Sequence, residues 1–397
     1  MQTLFESIDT YLVDHQPFWR FEPFFASQQK ALPWVSTHPS LCLWLESLTE
    51  DQIEHYKQDF SALVSVITPF FPQLNAFLAQ LELVRSPLSG LKLQRGIDAG
   101  VPGRKLEQIV AMGEASLLQH TGSEWLEWCS GKGFLGRILA SQSQQKVTSF
   151  EYQQALCEAG QTEADKQGLT MHFIQGDAFN LDANKVFNSN QHAVALHACG
   201  DLHVSLIEKA VGHQLPTLTI SPCCYHLINS ANYRPLSHLA KESTLQLSQA
   251  ELRIPLQELV TGGERVKRHR QQEMSYRLGL DILLREELGQ QQYLPIPSVK
   301  KSQLADGFEA FCYWAAEKKS ITLPSCDFAY YMQLGLQRFW QMERLSLVQQ
   351  LFKRGLELWL VLDKALYLQQ HGYQVSVTEF CSREMTPRNI LLQARKM

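Results

Sequence analysis

The chain of 397 residues has a formal net charge of −4, with 45% hydrophobic and 19% charged residues. That length predicts two or three domains with ample material for buried cores. The charge balance excludes a molecule that draws polyanions over its whole surface, so any nucleic-acid contact must be a local patch.

No apolar run approaches the ~18 residues needed to span a bilayer, so no membrane partner is expected. Nine cysteines lack paired framework spacing, and Glu6, Asp9 and Asp14 stand where a secretory leader would be basic. The expectation is a reduced, cytoplasmic protein.

Residues 1–95 read as a helical N-terminal domain. The stretch 51–66 has apolar positions at helical spacing, and Pro69, Pro72, Pro87 and Gly90 punctuate its end. Phe18, Trp19, Phe21, Phe24, Phe25, Trp34 and Trp44 would serve as core or as a platform for bases.

Residues 96–230 show a regular rhythm. Short β-like runs occur at 124–129, 146–151, 171–177, 193–199 and 217–223, with helical stretches between them. Crossovers of that length predict parallel strands in a doubly wound sheet. The alternation then stops. An insertion over 231–325 carries a polar helical stretch to about 290 and a linker with Pro295 and Pro297. Residues 326–397 hold a long helical region closing at Gly372, then strand-like runs at 374–380 and 390–396 that read as an antiparallel hairpin completing the sheet.

Ligands in an open parallel sheet bind beyond the carboxyl ends of the strands. The first run ends in a turn with Glu127, Ser130, Gly131 and Gly133. A strand turning sharply into a helix would leave backbone N–H groups free, and the two glycines would let that backbone approach a nucleotide-like cofactor closely. Glu127 would accept from the cofactor's polar end. The second run ends in Glu151, placed to hold both hydroxyls of a ribose. The third ends in Asp177 and Ala178, where a carboxylate or backbone amide reads an adenine edge. The fourth ends in His197, Ala198, Cys199, Gly200 and Asp201, and the fifth in 221–226, SPCCYH.

This order and spacing, over 122–226 and 374–396, resembles the class I S-adenosylmethionine-dependent methyltransferases. The resemblance implies an α/β, Rossmann-like sheet of parallel strands plus a C-terminal antiparallel hairpin, with a helical N-terminal domain and a helical insertion. The glycine loop would cradle the methionine portion of S-adenosyl-L-methionine, Glu151 the ribose, and Asp177 with Ala178 the adenine. His197 joins the cofactor set. A nicotinamide fold, the main competitor, would want G-x-G-x-x-G. Cys129 occupies the first glycine position of the methyltransferase pattern, a departure that touches the cofactor's carboxylate contacts.

The runs ALHACGDL and SPCCYH look like a smaller branch. It includes the methyltransferase-like-25 proteins, the glutathione S-transferase C-terminal-domain-containing protein and the acceptor-stem tRNA 2′-O-methyltransferase. The tail LWLVLDKALYLQQHGY with TPRNILLQARK, and the segment 101–115, resemble that branch as well.

Cys223 and Cys224 have three readings: small packing residues, metal ligands with His197 and Cys199, or an acceptor-binding loop. Adjacent cysteines do not readily reach one tetrahedral ion, so no metal is expected. On the loop reading His226 is the candidate base, Tyr225 stacks on or hydrogen-bonds the acceptor, and Asp201 orients a neighbour. Arg265, Lys267, Arg268 and Arg270 come after the turn at Gly262 and Gly263, where they would hold phosphates over the substrate mouth or form a solvated face. The expected acceptor is structured RNA, tRNA or rRNA. A protein side chain, a small molecule, or a cofactor-binding scaffold without turnover are the alternatives.

Overall fold

The computed structural model describes residues 1–101, 103–257 and 263–397, with Arg104 and Glu264 described by their backbone alone. Gly262, the first glycine of the turn expected before the basic cluster, lies outside the described residues, as does Pro102. By internal contact the chain forms two units. The first comprises 1–14, 77–256 and 353–397, and the second 15–76 and 257–352.

The first unit is built on seven strands: β1 Glu124–Trp128, β2 Val147–Glu151, β3 Met171–Gln175, β4 Gln191–Cys199, β5 Thr217–Cys223, β6 Tyr373–Glu379 and β7 Ile390–Lys396. β2 and β5 are buried at every position, as expected where helices cover both faces of a parallel sheet. The spatial order is β3-β2-β1-β4-β5-β7-β6. Strands β1 to β5 pair in parallel, and β7 runs antiparallel between β5 and β6. The α/β sheet and its closing hairpin are therefore as the sequence predicts.

Helices α1 Gly103–Leu118, α2 Phe134–Ser143, α3 Gln154–Lys166, α4 Asp201–Gly212 and α5 Lys353–Gln370 belong to this unit. Two apolar clusters contain it. One joins Leu126, Trp128, Ile207, Leu218 and Leu368, and the other Met112, Trp125, Ile138, Val194 and Leu391. The order reverses direction between β1 and β4. The crevice beyond their carboxyl ends is where such a sheet leaves room for a ligand.

The long helical region at 326–371 is two helices. A 3₁₀ turn at Gln350–Phe352 separates Phe328–Gln349, in the second unit, from α5 in the first. The second unit has its own core around Leu280, Leu283, Phe308 and Phe311. Of the early aromatics, Phe18, Trp19 and Trp34 are buried, with Phe18 and Trp34 in ring contact, so these three are core. Among the described residues no helix is long and apolar enough to cross a membrane.

Candidate active site

Between β1 and α2 the chain reverses in five residues, and three of them have left-handed backbones: Cys129 (φ 55°), Gly131 (φ 58°) and Gly133 (φ 69°). Cys129 thus takes a conformation that favours glycine, which identifies its place as a glycine position filled by another residue. A Cβ on Gly133 would collide with the Phe173 ring, whereas one on Gly131 would meet nothing within 4 Å. Gly131 faces open space, and Gly133 locks the turn against β3.

Glu127 departs from its expected role. It is 4% exposed, accepts from Ser149 Oγ at 2.8 Å, and accepts the backbone N–H groups of Leu135 and Gly136 at the start of α2. The amides expected to be free for a ligand are thus taken by this carboxylate. Glu127 shapes the loop from beneath and does not face the crevice. Burial raises its carboxyl from 4.5 to about 7, against the lowering effect of Ser149, the two amides and Arg137.

Glu151 ends β2 beside the loop. Its Oε2 accepts from the Gly131 N–H at 2.9 Å and its Oε1 from the Gln153 N–H at 3.0 Å. Each oxygen keeps a lone pair for a hydroxyl donor. Asp177 is exposed and its Oδ1 accepts from the Phe179 N–H at 2.9 Å, while Ala178 is buried with its carbonyl accepting from Ser205 Oγ. The ribose and adenine candidates therefore sit at neighbouring strand ends, with the exposed rings of Tyr152 and Phe179 flanking them.

β4 departs from regular register between Leu196 and Cys199, and His197 there is left-handed at φ 69°. Its Nε2 pairs with Gln108 Oε1 of α1 at 3.2 Å. Burial, with Lys105 and Arg388, holds the imidazole below its ordinary range.

Next to it the Sγ atoms of Cys199, Cys223 and Cys224 lie within 4.8 Å of one another, Cys199 and Cys223 at 3.5 Å. Donation from Cys223, helped by Cys224 and Arg388 and opposed by burial, draws the Cys199 thiol down to about 6. Cys224 is left-handed at φ 45°, and the turn after it is pinned by Leu227 N–H to Cys224 O at 2.9 Å and Asp201 N–H to Leu227 O at 3.0 Å.

Two expected catalytic residues have other jobs. Tyr225 is 2% exposed and donates its hydroxyl to Glu357 Oε1 at 3.4 Å, so it faces the interior and cannot stack on an acceptor. Asp201 accepts from the Asn229 N–H at 2.8 Å, tying the loop to the start of α4. His226 keeps a half-buried ring whose Nδ1 has no hydrogen-bond partner. Burial, aided by Arg253, lowers its pKa.

The basic cluster belongs to the second unit, on the helix Glu264–Leu288. Arg265 and Arg268 are exposed, whereas Arg270 pairs with the buried Glu343 at 2.8 Å, which also binds Lys57. Lys267, Arg268 and Arg270 line a cavity of about 400 Å³ together with Asp51, Glu54 and His55.

Four residues near the crevice escaped the sequence reading: Lys105, Gln108, Tyr152 and Phe179. Tyr152 directly follows Glu151, and Phe179 follows Ala178. Lys105 and Gln108 lie within the 101–115 segment, though nothing in spacing singles them out.

Residues 104–231 match the model of a family described as a methyltransferase domain. Among solved structures, the chain is similar to the Pyrococcus abyssi tRNA (uracil-54, C5)-methyltransferase in complex with S-adenosyl-L-homocysteine, at 18% identity over 29% of this chain and 28% of that one (TM-score 0.25). It is similar to M. capricolum TrmK with S-adenosyl-homocysteine, at 13% identity over 30% and 51% of the two chains (TM-score 0.24). A geranyl diphosphate methyltransferase in complex with GPP and sinefungin matches at 13% identity over 40% and 64% (TM-score 0.24). The chain spans 28% and 51% of the length of the first two. No curated protein matches.

Proposed function

We propose that this chain, which carries a methyltransferase domain, is an S-adenosylmethionine-dependent methyltransferase whose acceptor is structured RNA, tRNA or rRNA. The observation that carries the transferase reading is the glycine turn opposite Glu151 at the reversal point of a β3-β2-β1-β4-β5-β7-β6 sheet. The residues fit such a cofactor. Ser130 Oγ in the turn and Gln108 Nε2 of α1 are buried polar atoms without partners, which a bound amino-acid group would satisfy. Gly131 leaves open space where a side chain would intrude.

On this reading Ser130, Gly131 and Gln108 hold the methionine portion and Glu151 the ribose. Asp177 and Ala178 hold the adenine edge, with the rings of Tyr152 and Phe179 against its faces. The cofactor supplies a methyl group already activated on a sulfonium, so the chain mainly aligns the acceptor. His226, whose pKa burial and Arg253 lower, takes the acceptor's proton.

Two features support RNA: the exposed Arg265 and Arg268 on one helix face, and the resemblance to a branch that includes a tRNA enzyme. A second reading, transfer to a protein side chain or small molecule, is favoured by Arg270 being neutralised by Glu343 and by Asp51 and Glu54 in the same cavity. Incubating the chain and methyl-labelled cofactor with fractions from cells lacking it separates the two. Label in RNA, sharply reduced by Glu151→Ala at limiting cofactor, is the expected result. Label confined to protein or small molecules overturns the RNA acceptor, and none in any fraction overturns the transferase.

A further inference from the structure

We propose that Cys199, Cys223 and Cys224 form a binding site for a soft divalent cation of the zinc class, with one coordination position left open. Their three Sγ atoms lie within 4.8 Å of one another, and two are 3.5 Å apart. A tetrahedral ion with metal–sulfur bonds of about 2.3 Å sets its sulfurs roughly 3.8 Å apart, so the cluster closes on an ion with side-chain movements under about 1 Å.

Sequence adjacency argues against two neighbouring cysteines sharing an ion, because successive side chains on a strand point to opposite faces. The backbone removes that objection. Cys223 is the last residue of β5, and Cys224 just beyond it takes a left-handed conformation, φ 45°, that brings its thiol back beside that of Cys223. Opposite, the register shift in β4 between Leu196 and Cys199 re-aims Cys199 toward the same point. Two local departures from regular backbone thus converge on one cluster, a pattern found where strain serves a site.

A disulfide between Cys199 and Cys223 would need two thiols, and the third would have no reason to be drawn in. Four-coordinate zinc takes all three. Among the described residues no fourth His, Cys, Asp or Glu joins the group, which leaves one position for water or another donor, the arrangement of reactive zinc centres. Three thiolates and a divalent ion carry one net negative charge, and Arg388 is within electrostatic reach of both Cys199 and Cys224 to offset it.

The test is cobalt titration of the full chain, purified in a metal-free reduced state. The expected result is one ion per chain, with the near-ultraviolet thiolate-to-cobalt band and the visible bands of four-coordinate cobalt, displaced by zinc. Cys199→Ser, Cys223→Ala and Cys224→Ser should each weaken binding at least tenfold, with unchanged circular dichroism, while Cys326→Ser leaves it alone. Absent thiolate bands, or bands that survive all three replacements together, overturn the site. Because the readout is metal binding, it holds or fails independently of methyl transfer.

Discussion

Glu127 and Cys129 show how one short turn divides shape from binding. Glu127 is raised to about 7 by burial, so the folded state holds its proton more tightly than the unfolded chain does. Its contribution to stability is therefore fullest below about 4.5 and is lost as pH climbs through about 7. In urea unfolding, wild type should lose stability relative to Glu127→Gln between pH 4.5 and 7.5; a gap independent of pH would contradict the assignment. At Cys129 the backbone decides. Cys129→Gly should preserve cofactor binding, because glycine adopts φ 55° without strain, while the β-branched Cys129→Val should cost about 1–2 kcal/mol of stability. Differential scanning calorimetry and equilibrium dialysis with S-adenosylhomocysteine would check both.

At the scale of elements, the strands were legible because they are short, apolar and evenly spaced. The runs at 217–223 and 390–396 coincide with β5 and β7 to the residue. The strand-end carboxylates were legible too, since Glu151 does face the glycine turn. The jobs of Glu127, Tyr225 and Asp201 were not, because each is decided by which partner the folded chain brings within hydrogen-bond range. Ser149, Glu357 and Asn229 are that partner respectively, and sequence spacing does not encode those meetings.

The break of the 326–371 region into two helices was likewise hidden, since helical periodicity continues across Gln350–Phe352. Gly131 in the turn and Gly136 in α2 allow a contrast. A Cβ at Gly136 would collide with Glu127 Oε2 and Met171 Cε, so Gly136→Ala should destabilise by about 1–3 kcal/mol. Gly131→Ala, which projects into open space, should cost about 1 kcal/mol through its backbone and instead lose cofactor affinity. Equal losses of stability in the two variants would contradict the division between the packed position in α2 and the open one in the turn.

For the whole molecule, the sequence places the sheet in two stretches, the runs over 124–223 and the hairpin over 374–396, and the structure assembles the first unit from three chain segments and the second from two. The basic cluster lies in the second unit. If it contacts RNA, replacing Arg265, Lys267 and Arg268 by alanine should reduce the slope of log affinity against log salt by about 2–3, at roughly 0.7–0.9 per phosphate contact. Filter binding of bulk tRNA at several salt concentrations measures this, and an unchanged slope removes the cluster from the RNA surface.

Methyl transfer by this chain requires that the crevice beyond β1 to β4 hold an adenosyl ligand. Calorimetric titration of S-adenosylhomocysteine into wild type and Glu151→Ala tests it most directly. The predicted result is one ligand per chain, bound ten- to a hundredfold more weakly by the variant, as expected for losing a charged hydrogen-bond partner. Affinity unchanged by Glu151→Ala, or no heat of binding to wild type, would contradict it.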